Sequence, residues 1–563
     1  MTVLTRGGFA YPGTTTAFKT GTWRVQRPVH RHEAAPCRVA CPAGEDAQAY
    51  LAKTEEGRPR EAWEILVSAN PLPAITGRVC HHPCETACNR AEFDEAISIH
   101  AVERHLGDEA IRHGWPYPVR PPAAEAPAVA VVGAGPAGLS AAYHLIRRGY
   151  RVSLFEATPE AGGTCRMAIP GYRLPAEVLA AEVQRLLDVG IEFLPQRKLG
   201  RDVSLQELRA DYAAVFLGPG AQKGREWNVD GVVPRDLHAG LDLLEEWVAL
   251  GSVVQASSIA IVGGGNTAID LGRVLKRAGV SEVHVISHNA FPGPGVAVED
   301  AMGAIPREIH QAQEEGIIVH AHRGIRRLIL RGERVVGVEM VHMKKLSTVE
   351  GGKPQRVAFE GTETVLHVDQ VIPAVGQMVD PAGMEAVLGH GEFFNVDAWC
   401  RVAGHEGVYA GGDACPDRGT VSVSIGDGRR AAEGIDAYIK GLELGEGESI
   451  AGIPFTNLNL HYYEHSPRVQ EPILPVEQRK DAEEIEGGLS ANQVMHEARR
   501  CFSCGNCLAC DNCWTLCPDV AVLKTKEEAE DGSHYVFDYD YCKGCGLCAH
   551  ECPCGYIVME EEL

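Results

Sequence analysis

Two glycine clusters constrain this chain more than any other feature. The first reads Val129-Ala-Val-Val-Gly133-Ala-Gly135-Pro136-Ala137-Gly138. Small and β-branched residues give a strand, the glycines a tight turn, and Leu139 to Arg148 a helical periodicity. Gly133 permits the turn, and Gly135 lets the backbone approach a pyrophosphate. Gly138 lets the helix pack on the strand, so the helix N-terminus faces the phosphates. A second strand, Arg151 to Phe155, ends at Glu156, where a ribose-binding acid is needed.

The second cluster is Ile259-Ala-Ile-Val-Gly263-Gly-Gly265-Asn266-Thr267-Ala268, with a helix to Arg277 and a strand from Glu282 to Ile286. Ala268 replaces the third glycine. Ser287, His288 and Asn289 follow the strand. An NADP site wants arginine here for the 2′-phosphate, and a usual NAD site wants an acid. Neither is present, and the missing cation weighs more. NADH is therefore expected over NADPH, with His288 at the site.

The chain has 563 residues, and 19 cysteines are its loudest feature. Their C-x-x-C and C-x-x-x-C spacings favour metal over disulfides. One island holds Cys507, Cys510, Cys513 and Cys517-Pro, then Cys542, Cys545, Cys548 and Cys552-Pro. This doubled run is that of a bacterial two-cluster ferredoxin, in which each fourth cysteine ligates the other cluster. Cys507, Cys510, Cys513 and Cys552 would hold one [4Fe–4S] cluster. Cys542, Cys545, Cys548 and Cys517 would hold the second, leaving Cys554 spare. The other island holds Cys37, Cys41, Cys80, Cys84 and Cys88, and also reads as cluster-binding.

The expected fold is α/β: two nested dinucleotide-binding, Rossmann-like domains, preceded by an α-helical Fe–S domain and followed by a bacterial ferredoxin-like α+β domain. The divisions are 1–122 for the helical Fe–S domain, and 123–255 plus 365–440 for the first dinucleotide domain. The second takes 256–364, an extended connector 441–496, and the ferredoxin-like domain 497–563. No apolar run reaches 18 residues, and no secretory signal is read at Met1 to Ala10, so a cytoplasmic protein is expected. With 76 acidic against 53 basic residues the formal charge is −23, which argues against nucleic-acid binding.

The middle of the chain resembles the flavin-dependent small subunit of glutamate synthase and its relatives. The matching stretches are Ala161-Gly-Gly163, Ile169-Pro-Gly-Tyr-Arg173-Leu-Pro175, Gly263 to Ala268 and Ala410-Gly-Gly412-Asp413. A return segment through Val371 to Gly376 accompanies them. The resemblance implies FAD at the first site, with Asp413 near the flavin side of the pyrophosphate, and the nicotinamide nucleotide at the second. It also implies a cluster on Cys41, Cys80, Cys84 and a carboxylate, here Glu103, whose alternative is a solvated helix acid. The family's usual Arg-Arg after the second site's strand is His288-Asn289 here.

The family also begins with Glu-Ala-x-Arg-Cys-x-x-Cys, where this chain has Val29 and His32. That segment stands instead before the ferredoxin run, as Glu497-Ala-Arg-Arg-Cys501-Phe-Ser-Cys504. By the resemblance, Cys501 and Cys504 join Cys37 and Cys88 in a fourth cluster assembled from both ends of the chain. The competing account makes Cys501 and Cys504 bystanders. Disulfide reductases with two nucleotide domains carry a C-x-x-C beside the flavin; none lies between Cys165 and Cys415, and Cys165 reads as a buried apolar thiol. No side-chain acid–base catalyst is named. The parts imply an electron-transfer subunit linking NAD(H) to a ferredoxin or a partner enzyme of the 2-oxoacid:ferredoxin oxidoreductase type, within a hetero-oligomeric complex. The alternative is the small subunit of a glutamate synthase.

Overall fold

The computed structural model describes residues 17–562, apart from 32, 230, 234–236, 254–255, 347–354, 417–418, 446–449, 481–483 and 528–532. His32 thus lies outside the described residues. Strand β1 (Gln26–His30) leads into short helices: α1 (Pro36–Ala40), α2 (Ala47–Glu55), α3 (Pro59–Leu66), α4 (Pro73–Val79), α5 (Pro83–Thr86) and α6 (Ile99–His113). Proline opens α1, α3, α4 and α5, where the missing N–H costs no helical bond. Helices α4 and α6 cross at glycines: a Cβ on Gly77 would lie 2.5 Å from Arg104 N, and one on Gly107 2.4 Å from Ala74 N.

The first dinucleotide fold contains β2 (Ala128–Val132), α7 (Pro136–Arg147), β3 (Arg151–Phe155), α8 (Thr164–Met167), α9 (Ala176–Leu187), β4 (Glu192–Leu194), α10 (Leu205–Asp211) and β5 (Ala214–Leu217). Strand β6 (Lys223–Gly224) and α11 (Gly240–Leu250) lead into the second: β7 (Ser258–Val262), α12 (Asn266–Arg277), β8 (Glu282–Ile286), α13 (Pro306–Glu314) and β9 (Ile318–His320). An antiparallel sheet follows, of β10 (Arg323–Arg331), β11 (Arg334–Leu346), β12 (Gln355–Ala358) and β13 (Thr364–Leu366). Strand β14 (Gln370–Pro373) then joins the second sheet, β15 (Gln377–Met378) pairs with β6, and α14 (Glu385–Leu388), β16 (Val408–Ala410) and α15 (Val421–Lys440) return to the first fold.

Both main sheets are parallel, in the orders β16-β5-β2-β3-β4 and β14-β7-β8-β9. Residues 129–132 of β2 and 259–261 of β7 are buried, as expected of strands covered by helices on both faces. Strand β2 lies between β3 and β5, so the crevice at its carboxyl end is where such sheets take ligands. Helix α4 has no cap of its own. Glu182 on α9 supplies one, accepting from Ala74 N at 2.8 Å and Ile75 N at 2.9 Å, and so fastens the helical region to the first fold.

The C-terminal region holds α16 (Ala491–Arg499), α17 (Asn512–Thr515), β17 (Val522–Lys524), β18 (Tyr535–Phe537), α18 (Leu547–His550) and β19 (Ile557–Glu561). Its last strand β19 pairs antiparallel with β1, from Gln26 opposite Glu561 to His30 opposite Ile557. Residues 26–30, assigned from sequence to the helical domain, thus form a two-stranded sheet with the end of the ferredoxin-like region. The connector carries short helical turns among its described residues, and it is anchored. Ile453, Leu458, Ile485 and Leu489 are buried. Glu484 pairs with Arg78 (2.8 Å) and Arg104 (3.0 Å) of the helical region, and Glu486 with Arg307 (3.0 Å) of the second fold.

Candidate cofactor and iron–sulfur sites

A large cavity opens at the carboxyl end of β2, lined by Gly133, Gly135, Glu156, Gly163, Gly412 and Asp413, with Pro136 and Ala137 at the start of α7. Its glycines divide the work as the sequence reading requires. Gly133 has φ +94°, and a Cβ there would meet Gly218 O at 2.2 Å; a Cβ on Gly138 would meet Gly133 O at 1.8 Å. Gly135 differs: a Cβ on it would meet only Gly163 Cα, at 3.8 Å. The outer two glycines are packed against backbone, and the middle one faces the opening where a pyrophosphate would sit, so the residues present fit FAD. Glu156 is held at the β3 end by Ala134 N (2.7 Å) and by Thr158 N (2.8 Å). Burial pushes the Asp413 carboxyl up, while Ser424 on α15 pulls the other way. The α15 N-terminus, with Thr420, Val421 and Ser424, points its positive end into the same cavity.

The helical region adds to this cavity, which the spacing of the motifs does not reveal. Val79 and His81, from the helical region, form part of its wall and flank Cys80. Cys165 lines it as a thiol pushed up to about 12, by burial first and then by Asp413. Arg173 lines it too, but its guanidinium is engaged across the fold boundary, with Asp270 at 2.7 Å and Glu308 at 3.4 Å. Its charge is spent on joining the two folds.

The second cavity is lined by Gly263, Gly265, Thr267, His288 and Gly376. The glycine roles repeat: a Cβ on Gly263 would lie 2.2 Å from Ala374 O, and one on Gly265 would meet nothing within 4 Å. Ala268 is fully buried under the turn. Asn266 lines the first cavity, while Thr267 and Gln377 line both, so the two openings adjoin at the N-terminus of α12. Gly376, read as a marker of the first site, lies at the second.

In the C-terminal unit, Cys507, Cys510, Cys513 and Cys552 line one small cavity together with Cys554, and Cys517, Cys542, Cys545 and Cys548 line another. These are the two sets of four that the ferredoxin run implies. Cys554 lies 3.7 Å from Cys552, sulfur to sulfur. A recurring backbone device marks several of these residues. The second residue after Cys507 and after Cys542 has positive φ and aims its N–H back at the sulfur, at 3.5 Å and 3.4 Å. Such N–H groups favour an anionic sulfur.

Cys80 and Cys501 carry the same device, through His82 N (3.3 Å, φ 53°) and Ser503 N (3.4 Å, φ 52°). Burial pushes the Cys37 thiol up, and the charged groups acting on it next are Cys501, Cys88 and Cys504. Asn89, beside Cys88, points its amide at Cys504 Sγ (3.5 Å), and Arg90 Nη1 donates to Arg500 O (2.7 Å). Cys41 and Cys80 are likewise raised by burial, and both feel Glu45 and Glu103. Glu103 is buried on α6, bonded to Thr76 and to Asn70 Nδ2 (2.9 Å). The same Asn70 amide holds Glu45 at 2.9 Å, a second carboxylate that the sequence reading passed over. His82 and His100 stack at 4.1 Å, and His100 donates to Glu85 (2.6 Å) and Glu471 (2.7 Å). Burial opposes its charge but the two carboxylates prevail, so His100 is pushed up to about 9 and serves as an imidazolium tie.

Comparison with known proteins agrees with this anatomy. The model for the pyridine nucleotide-disulphide oxidoreductase family matches residues 127–428, more than half of the chain. A dihydropyrimidine dehydrogenase domain II 4Fe-4S model matches 25–115, and a 4Fe-4S dicluster model matches 506–556. The beta subunit of the NADP(+)-dependent formate dehydrogenase of Moorella thermoacetica is 32% identical over 84% of this chain and 70% of its own. The NADPH-Fe(3+) oxidoreductase beta subunit of Geobacter sulfurreducens is 31% identical, over 87% and 78%. The glutamate synthase [NADPH] small chain of Azospirillum brasilense is 32% identical, over 72% and 86%. The solved structure of Mycobacterium tuberculosis FprA in complex with NADPH has 17% identity and a TM-score of 0.47, covering 56% of this chain and 85% of that one. None of the 19 cysteines is paired in a disulfide in this structure. By the length of the match and the identity of its relatives, the chain belongs to the pyridine nucleotide-disulphide oxidoreductase family, as an FAD-binding member flanked by 4Fe–4S domains.

Proposed function

We propose that this chain is the subunit that moves electrons between a nicotinamide nucleotide and a ferredoxin or a partner oxidoreductase of the 2-oxoacid:ferredoxin type, using FAD and four [4Fe–4S] clusters. When bound, the flavin would exchange electron pairs with the nicotinamide and the clusters would carry single electrons. The protein's part is position. Val79 and His81 bring Cys80 to the wall of the flavin cavity. Helix α1 has Cys37 at its start and Cys41 just past its end, linking the set Cys41, Cys80, Cys84, Glu103 to the set Cys37, Cys88, Cys501, Cys504. Gly505 N donates to Cys554 O at 2.8 Å, tying that last set to the ferredoxin-like unit. Cys510 and Cys545 are exposed, so both C-terminal sites reach the surface where a partner docks.

The observation that carries this reading is Cys501. Together with Cys88 and Cys504 it acts electrostatically on Cys37, and it shares its N–H···S geometry with Cys80, Cys507 and Cys542. A bystander thiol has no need of that device. About sixteen irons per chain are expected against about twelve for three clusters. Cys501→Ser/Cys504→Ser should lose about four; if it loses none, the shared cluster does not exist. The alternative, a glutamate synthase small subunit, is less favoured because that relative matches only 72% of this chain. The expected preference for NADH rested on Ser287, His288 and Asn289 alone. The relatives named for a coenzyme above carry NADP or NADPH in their names, so that preference gains no support from them.

A further inference from the structure

We infer that Arg356 sets the coenzyme preference, supplying from the antiparallel β10–β13 sheet the cation that the end of β8 lacks. The inference rests on the reading that the second cavity takes a nicotinamide nucleotide. In such folds the adenosine ribose lies just past the second strand, here against Ser287, His288 and Asn289, which line that cavity. Asn289 is held at both ends of its carboxamide: Nδ2 donates to Ala301 O at 2.8 Å, and Oδ1 accepts from Arg356 Nη2 at 2.6 Å. The residue standing where the family carries an arginine thus positions an arginine from elsewhere.

The sheet that brings Arg356 is stitched to the end of β8. His322 N donates to Asn289 O (3.1 Å), Arg323 N to Ser287 O (2.8 Å), and Met343 N to His322 O (2.9 Å). Strand β12, which carries Arg356, then pairs with β11 from Met343 onward. Of the other charges at the second cavity, Arg225 lines it but is paired with Glu392 at 2.7 Å. His288 is pushed down to about 4, by burial first and then by Arg356, and so stays neutral. Arg323 turns its guanidinium to Thr362 O (3.2 Å). Burial lowers Arg356 and Asp300 acts against that, while among the described residues the hydrogen-bond partner of Arg356 is a neutral amide. The Arg356 side chain is exposed, and among the described residues it spends one of its five donors, on Asn289, so a guanidinium fork faces the site for a 2′-phosphate. NADP(H) should be bound more tightly than NAD(H).

The test compares the holoprotein with its Arg356→Gln and Arg356→Lys variants. Binding of 2′,5′-ADP and of 5′-AMP is measured by calorimetry, which needs no electron transfer. The ratio of kcat/KM for NADPH over NADH is measured with a viologen acceptor. The wild type should prefer 2′,5′-ADP and NADPH. Arg356→Gln should lower both preferences about ten- to a hundredfold, chiefly through KM, with Arg356→Lys in between. An unchanged preference in Arg356→Gln, or a wild type that favours 5′-AMP and NADH, overturns the inference. If 2′,5′-ADP discrimination depends on Arg356 but neither coenzyme reduces the protein, the inference stands and the electron-transfer reading fails.

Discussion

Replacing Gly135 by valine should empty the flavin site without unfolding the protein, and the contrast with Gly138 makes this a sharp test. Gly135 has φ −79° and ψ −178°, extended backbone that any residue adopts, and its Cβ would have only Gly163 Cα near it, at 3.8 Å. Folding should therefore change by no more than about 1 kcal/mol. The valine methyl groups would fill the opening over the start of α7, where backbone N–H groups would meet the pyrophosphate. Losing two charge-assisted hydrogen bonds at about 1.5–3 kcal/mol each removes about 3–6 kcal/mol of binding, a hundredfold or more in affinity. Gly138→Val puts its Cβ 1.8 Å from Gly133 O, a clash with backbone that cannot move aside, so it should exceed the ~1–3 kcal/mol of ordinary overpacking. The assay is flavin absorbance per chain together with a thermal melt. Gly135→Val should be folded and colourless at 450 nm apart from the clusters, and Gly138→Val should melt early. Stoichiometric FAD in Gly135→Val, or a Gly138→Val variant as stable as the parent, would refute the argument.

Two further outcomes follow from the packing. Glu182→Ala leaves Ala74 N and Ile75 N without their acceptor, which should cost about 2–4 kcal/mol, and Glu182→Gln, keeping one acceptor, should lose less. Equal melting midpoints for the two variants would contradict the cross-domain cap. Arg273 is almost wholly buried, paired with Glu308 and with Glu315 at 2.7 Å, and it lies over the Tyr172 ring at 4.7 Å. Arg273→Ala should therefore destabilise the second dinucleotide fold by about 3–5 kcal/mol, because it strands buried carboxylates. An early unfolding step that precedes flavin release is the expected melt; a single unshifted transition would argue against it.

The sequence by itself determined whatever is settled over a few residues. The turns at Gly133 and Gly263 need positive φ, and both have it, at +94° and +148°. The two ferredoxin sets are read from spacing, and Cys507, Cys510, Cys513 and Cys552 line one cavity together with Cys554. The pairing of Cys501 and Cys504 with Cys37 and Cys88 rests on the likeness of Glu497 to Cys504 to the family's N-terminal segment. The tertiary structure alone decided the rest, because backbone edges and charges find their partners through packing that no local periodicity encodes. Strand β1, near the start of the chain, pairs with β19 near its end. Arg173, matched by motif to the flavin site, has its charge neutralised by Asp270 and Glu308. The strand end at Ser287 to Asn289 looked devoid of cations in sequence, and in three dimensions Arg356, 67 residues further along, reaches Asn289. A short motif fixes the shape of a binding turn, whereas the electrostatics around it belong to whichever distant side chains the fold brings within reach.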